Sequence, residues 1–144
     1  MKECIRCIYR KDNAGCTLDS CRVYKIKNAI LENYHNVNFN VNLLADELNM
    51  PREKLYDLSC NYFDDPPARV ISKLRIKYSL TLFLKQNLPL GSIAKRSGIS
   101  SIKTFRNHFI KYFEISPRIL RESLKDVQHK ESMLNTLKYV LERR

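Results

Sequence analysis

The sequence predicts an all-α fold: two helix-turn-helix units joined by a long helix, preceded by a short cysteine-rich extension and followed by an amphipathic C-terminal helix. Three observations predict it. In LGSIAKRSGISSIKTFRNHFIKYFEISPRILR, residues 90–121, apolar residues recur at spacings of three and four on either side of a glycine. A second copy of that layout begins near residue 42. Between the copies, Val70, Ile71, Leu74, Tyr78, Leu82 and Phe83 mark the apolar side of one long helix.

The chain has 144 residues, enough for one domain or two small subdomains sharing a core. Apolar residues make up 44%, which suits a globular protein. No apolar run reaches the ~18 residues that read as a transmembrane helix. The charged N-terminus lacks a signal-peptide h-region, so a cytoplasmic location is expected. The formal net charge is +11 and unevenly placed. Residues 1–65 hold 9 Lys+Arg against 10 Asp+Glu, whereas residues 66–144 hold 17 against 5. A basic half of this kind is the footprint of a polyanionic partner. Charge alone does not separate DNA from RNA.

Residues 1–22 contain Cys4, Cys7, Cys16 and Cys21, spaced C-x2-C and C-x4-C, with Cys60 elsewhere. Four thiolates from two such pairs can complete a tetrahedral zinc site, and so short a segment has no core of its own to fold it. One structural zinc ion on these four cysteines is the expectation. An iron–sulfur cluster, a thiol switch or no ligand are the alternatives. Disulfides are less favoured, because nothing points to an oxidising compartment.

The first unit occupies residues 23–66. Its first helix is expected from about residue 23 to 35, with Ile26, Ile30 and Tyr34 inward. In the Asn-rich connector, Phe39 and Val41 should plug into the core. Asn42 is the expected cap of a helix containing Leu43, Leu44, Ala45 and Leu48. Asn49, four residues after Ala45, tolerates a left-handed turn. Pro51 opens a further helix through Leu55, Leu58 and Tyr62, and Pro66-Pro67 closes the unit.

The linking helix is placed at residues 67–87; its stretch 68–86 spans roughly 28 Å at about 1.5 Å per residue. In the second unit, residues 88–124, Ile93 and Ala94 face inward, and Ala lets another helix cross closely. Gly98 supplies the positive φ of a sharp turn. Ser100 or Ser101 caps the next helix, which aligns Ile102, Phe105, Phe109 and Phe113 on one face. The other face carries Lys103, Thr104, Asn107 and Lys111, all hydrogen-bond donors. Ser116-Pro117 restarts a helix with Ser as cap and Pro first. A helix anchored by one apolar face and presenting a donor-rich one is what major-groove reading requires. An ordinary helical hairpin with a solvated face would share the pattern.

The second unit is similar, almost position for position, to the second helix-turn-helix of AraC/XylS-type transcription regulators. Ile93-Ala94, Gly98, Phe105, Phe109, Ser116-Pro117 and Arg121 match that family's pattern, and Ile99 stands where the family usually has Phe. The resemblance covers about residues 24–124 and implies a homeodomain-like, two-unit DNA-binding domain. In the family a helix like 68–86 bridges the two units, and its length suits recognition helices set in successive major grooves about 34 Å apart. Arg75 matches a common family Arg, with a structural ion pair expected rather than a DNA contact. Matching positions make Lys103, Thr104 and Asn107 the expected base contacts. Lys95, Arg96, Ser101, Arg106 and Lys111 are the expected backbone contacts, with Arg52 and Lys54 adding to them from the first unit.

That first unit departs from the family. Glu53, Tyr56 and Asp57 occupy its recognition-helix positions, Ser59 replaces the aromatic anchor, and Asp64 replaces the usual Gly. Carboxylates repel phosphates, so the second unit is expected to do most of the reading. No family ligand-binding domain is expected within the 22 residues that precede the units.

Residues 125–144 read as a strong helix former with Val127, Met133, Leu134, Leu137, Val140 and Leu141 in one stripe. Packing on its own domain, against the first helix or the cysteine segment, is one reading; pairing with a second copy as a homodimer is the other. The sequence has no phosphate-cradling loop, nucleophile elbow or metalloprotease motif, and His35, His108 and His129 are scattered. No enzymatic activity is expected. His108 falls on the recognition helix, as a surface or phosphate-contacting residue. The expected function is sequence-specific binding of double-stranded DNA to regulate transcription, with RNA polymerase a further expected partner. The alternatives are a protein-interaction module on the same scaffold and a metal- or thiol-responsive switch.

Overall fold

A computed structural model of the chain describes residues 19–83, 88–125 and 130–143. Among the described residues there are eight α-helices and no strand. They are α1 (Asp19–Asn33), α2 (Val41–Glu47), α3 (Arg52–Phe63), α4 (Pro67–Leu82), α5 (Leu90–Arg96), α6 (Ile102–Phe113), α7 (Pro117–Lys125) and α8 (Lys130–Arg143). The described residues fall into two compact units: 19–33 with 39–71, and 34–38 with 72–83, 88–125 and 130–143. None of the helices is long and apolar enough to cross a membrane.

In the first unit α1 buries Cys21, Val23, Ile26, Ala29 and Ile30 and packs on α2 and α3. It begins four residues before the expected start, with Asp19 in a first turn where negative charge is favoured. It stops at Asn33, whose side-chain amide donates to the Ala29 carbonyl at 2.8 Å, so Tyr34 and His35 lie beyond it. The cap of α2 is Asn40, not Asn42: Asn40 is extended (φ −149°) and its Oδ1 accepts from Leu43 N–H at 2.9 Å. A cap must sit just outside the first turn to reach that donor, and Asn42 is already helical. Phe39 is buried as expected, whereas Val41, at the first helical position, is only half-buried. α3 buries Leu55, Leu58 and Ser59, while Tyr62 is exposed. Ser59 replaces bulk with a bond, its Oγ donating to the Asp65 carbonyl at 2.7 Å beneath the left-handed Asp64.

The second unit is built around aromatic side chains on α6. Phe105, Phe109, Tyr112 and Phe113 are buried, and the Phe109 ring lies 5.6 Å from Phe105, 4.8 Å from Phe113 and 5.9 Å from Phe83. Tyr112, absent from the expected face, completes it, and its hydroxyl lies 2.8 Å from Ser72 Oγ on α4. Ile102 departs the other way and is 46% exposed. Side chains on a helix tilt toward its N-terminus, so the first residue projects past the helix end rather than into the core. Along α4 the buried positions in this unit are Ile76, Ser79, Leu80 and Leu82, whereas Leu74 and Tyr78 are half-buried. The helix ends at Leu82 with Phe83 in a turn, short of the expected residue 86; residues 84–87 lie outside the described ones.

α8 packs on α6 of its own unit, burying Leu134 and Leu141 and laying Met133, Leu137 and Val140 against the same core. Two residues of the stripe are thus buried and three half-buried within the unit; Val127 lies outside the described residues. Arg121 on α7 donates to the Leu88 carbonyl and stands over the Phe83 ring, 5.8 Å from its centre.

Candidate nucleic-acid interface

The turn between α5 and α6 sets the candidate surface. Ile99 N–H bonds to the Ala94 carbonyl at 2.8 Å and Gly98 N–H to the Lys95 carbonyl at 3.1 Å, while Gly98 has φ +98°. Buried Ser97 donates to the Ile93 carbonyl at 2.7 Å, closing α5 without solvent. The first unit makes the same turn: Met50 N–H to the Ala45 carbonyl at 3.0 Å, with Asn49 at φ 50°. α3 and α6 also end alike, on left-handed Asp64 and Glu114 at φ 62° and 61°. Each unit therefore carries the same pair of left-handed positions, although glycine fills only one of the four.

Ser101, rather than Ser100, caps α6, its Oγ accepting from Thr104 N–H at 3.4 Å. With Phe105 and Phe109 locked inward, Lys103, Thr104, Arg106, Asn107 and Lys111 are all exposed, as are Lys95 and Arg96 at the end of α5. The four donors named on the open face of α6 thus share one surface. Ile102 and Ile110, 46% and 43% exposed, interrupt its polarity. Inward periodicity hid Ile102, and nothing in the sequence singled out Ile110.

Arg75 belongs to the scaffold. Its Nε donates to the Tyr34 carbonyl at 2.7 Å and a terminal nitrogen to the Asn36 carbonyl at 3.1 Å. Where the sequence suggests a structural ion pair, these partners are uncharged backbone carbonyls about forty positions earlier. His108 is half-buried rather than a plain surface residue, and its Nδ1 is buried with no hydrogen-bond partner among the described residues. Burial, and then the positive charges of Lys111 and Arg75, hold its pKa below 6.5.

On the first unit the corresponding helix, α3, exposes Arg52, Glu53, Tyr56 and Asp57, which with Val41 and Pro67 line an open cavity of about 410 Å³. Lys54 points to Asp19 instead, at 3.3 Å, and such a surface pair is weak enough to be exchanged for another anion. Cys4, Cys7 and Cys16 lie outside the described residues; Cys21 is buried in α1. Among the described residues no three His, Cys, Asp or Glu side chains are grouped to hold a metal ion.

Residues 44–123 match a protein family described as a helix-turn-helix domain. Over 87 residues the chain is 28% identical to the RCS-specific HTH-type transcriptional activator RclR of Escherichia coli K12, covering 60% of this chain and 31% of RclR. The chain therefore spans less than a third of that relative's length. Among solved structures, it is similar to the C-terminal domain of the two-component response regulator yesN from Fusobacterium nucleatum subsp. nucleatum. That likeness has TM-score 0.63 and 26% identity, over 67% of this chain and 93% of the other. The C-terminal domain of AraT, a response regulator from Geobacillus stearothermophilus, shares the fold at TM-score 0.67 and 20% identity, over 74% and 88%.

Proposed function

The chain belongs to the AraC-type helix-turn-helix family of DNA-binding transcription regulators, and we infer from that membership how it engages its operator. The second unit reads the major groove with α6, Lys103, Thr104 and Asn107 meeting base edges. Lys95, Arg96, Ser101, Arg106 and Lys111 hold the phosphates on either side. The observation that carries this reading is the shared exposure of those donors on a helix whose opposite face is fixed by buried aromatics. Base contacts specify, whereas phosphate contacts supply affinity and its salt dependence. The first unit adds backbone contact through Arg52 and Lys54, since Glu53 and Asp57 oppose closer approach to phosphate.

Selection from a randomised duplex library at about physiological salt tests the proposal. An enriched motif supports it; equal recovery of all sequences would overturn it. Repeating the selection with a zinc chelator tests zinc ligation by Cys4, Cys7, Cys16 and Cys21. An unchanged motif and affinity would leave the cysteine segment no part in reading DNA.

A further inference from the structure

Two large apolar side chains stand in the open on α6, and the one at its start is held in place from below. Ile102 is the first residue of the helix, directly after the Ser101 cap. In helix-turn-helix proteins the N-terminal residues of the recognition helix are those that reach base edges. Ile110 is two turns further along and lacks that position. The Ile102 side chain lies over the bare backbone of Gly91 on α5: a Cβ there would stand 3.3 Å from Ile102 Cδ1 and 3.7 Å from Cγ1. Being β-branched, Ile102 has few χ1 rotamers available. One side of it is thus supported by α5, while the side chain as a whole remains 46% exposed.

An exposed isoleucine offers a base edge no hydrogen bond. In the major groove the complementary apolar group is the C5-methyl of thymine. We propose that Ile102 is a specificity-determining residue that reads one thymine methyl within the operator. The inference rests on α6 being the base-reading helix and adds to it a preference that the donor side chains do not encode.

The test uses the full chain and a duplex selected from the randomised library, with each thymine replaced in turn by deoxyuridine. That change deletes the methyl and leaves every hydrogen-bonding group in place. At one position the unaltered protein should lose about fourfold in affinity, the scale of returning one apolar carbon to water. Ile102→Ala should bind the unmodified duplex weaker by a similar factor and show no further loss at that position. Ile102→Val, which keeps a branched apolar surface, should remain methyl-sensitive. The proposal is overturned if Ile102→Ala binds like the unaltered protein, if every deoxyuridine penalty persists in that variant, or if no thymine is methyl-sensitive. In those cases an enriched duplex still exists and depends on Lys103 and Asn107, so groove reading by α6 survives. An absence of any enriched duplex would remove both readings together.

Discussion

Arg75 and Gly98 meet at one carbonyl group. Arg75 Nε donates to the Tyr34 carbonyl oxygen at 2.7 Å, and a side chain on Gly98 would collide with that oxygen and stand 2.8 Å from the same Nε. The turn that orients α6 is thereby seated on the 34–38 connector with no room for a Cβ. Gly98 is required twice, by its φ of +98° and by this contact.

Gly98→Ala should therefore cost more than about 3 kcal/mol, because backbone strain and steric displacement act together. Arg75→Leu should cost about 2 kcal/mol through two lost charge-assisted hydrogen bonds. Urea unfolding of both single variants and the double variant measures the coupling. Strict additivity would show that the two residues do not share the Tyr34 carbonyl in solution.

Asn107→Ala should relax sequence preference at one base pair, with a loss of about 1–3 kcal/mol confined to the preferred duplex. Lys111→Ala should weaken all duplexes alike and reduce the salt slope by about one phosphate contact. Affinity titrations on the selected duplex and a scrambled one, at three salt concentrations, distinguish the two behaviours. Uniform loss in both variants would place Asn107 away from the bases.

His108 gives the second unit a defined response to acid. Its pKa lies below 6.5 in the folded state, so near that pH the unfolded chain binds more protons. Stability should be full above about pH 6.5, decline as pH falls toward the folded-state pKa, and level off beneath it. Thermal melts of the protein and of His108→Gln between pH 7.5 and about pH 5 should diverge on the acid side. Parallel curves would assign the acid response to other groups.

Leu134 on α8 is 1% exposed within the aromatic core of the second unit. Leu134→Ala should cost about 2–5 kcal/mol by leaving a cavity. A cost near zero in urea unfolding would show that α8 is not docked on α6.

Neutralising the acidic side chains on α3 should strengthen DNA binding without altering its sequence preference. Glu53→Gln combined with Asp57→Asn removes two charges that repel phosphate, and the gain should shrink as salt rises. A new preferred motif from this variant would show that α3 reads bases as well.

Much of this arrangement is local, and the local part is legible in the chain. Spacings of three and four placed α5 and α6, Ala94 and Gly98 placed the turn, and the duplicated layout exposed the first unit despite Ser59 and Asp64. Periodicity also named the donor face of α6, because a helix with Phe105 and Phe109 inward must turn Asn107 outward. What depends on residues far apart in the chain was not available from that pattern. Arg75 reaching Tyr34, Tyr112 meeting Ser72, and α8 settling on α6 are set by how distant segments pack. The position of Ile102 belongs with these: its spacing is that of a core residue, yet at the helix end its side chain projects beyond the core onto Gly91. Sequence by itself determined the two helix-turn-helix units and the helix that carries the donor face. Tertiary packing decided which side chains that helix leaves exposed, since exposure follows from what covers a residue rather than from its place in a period.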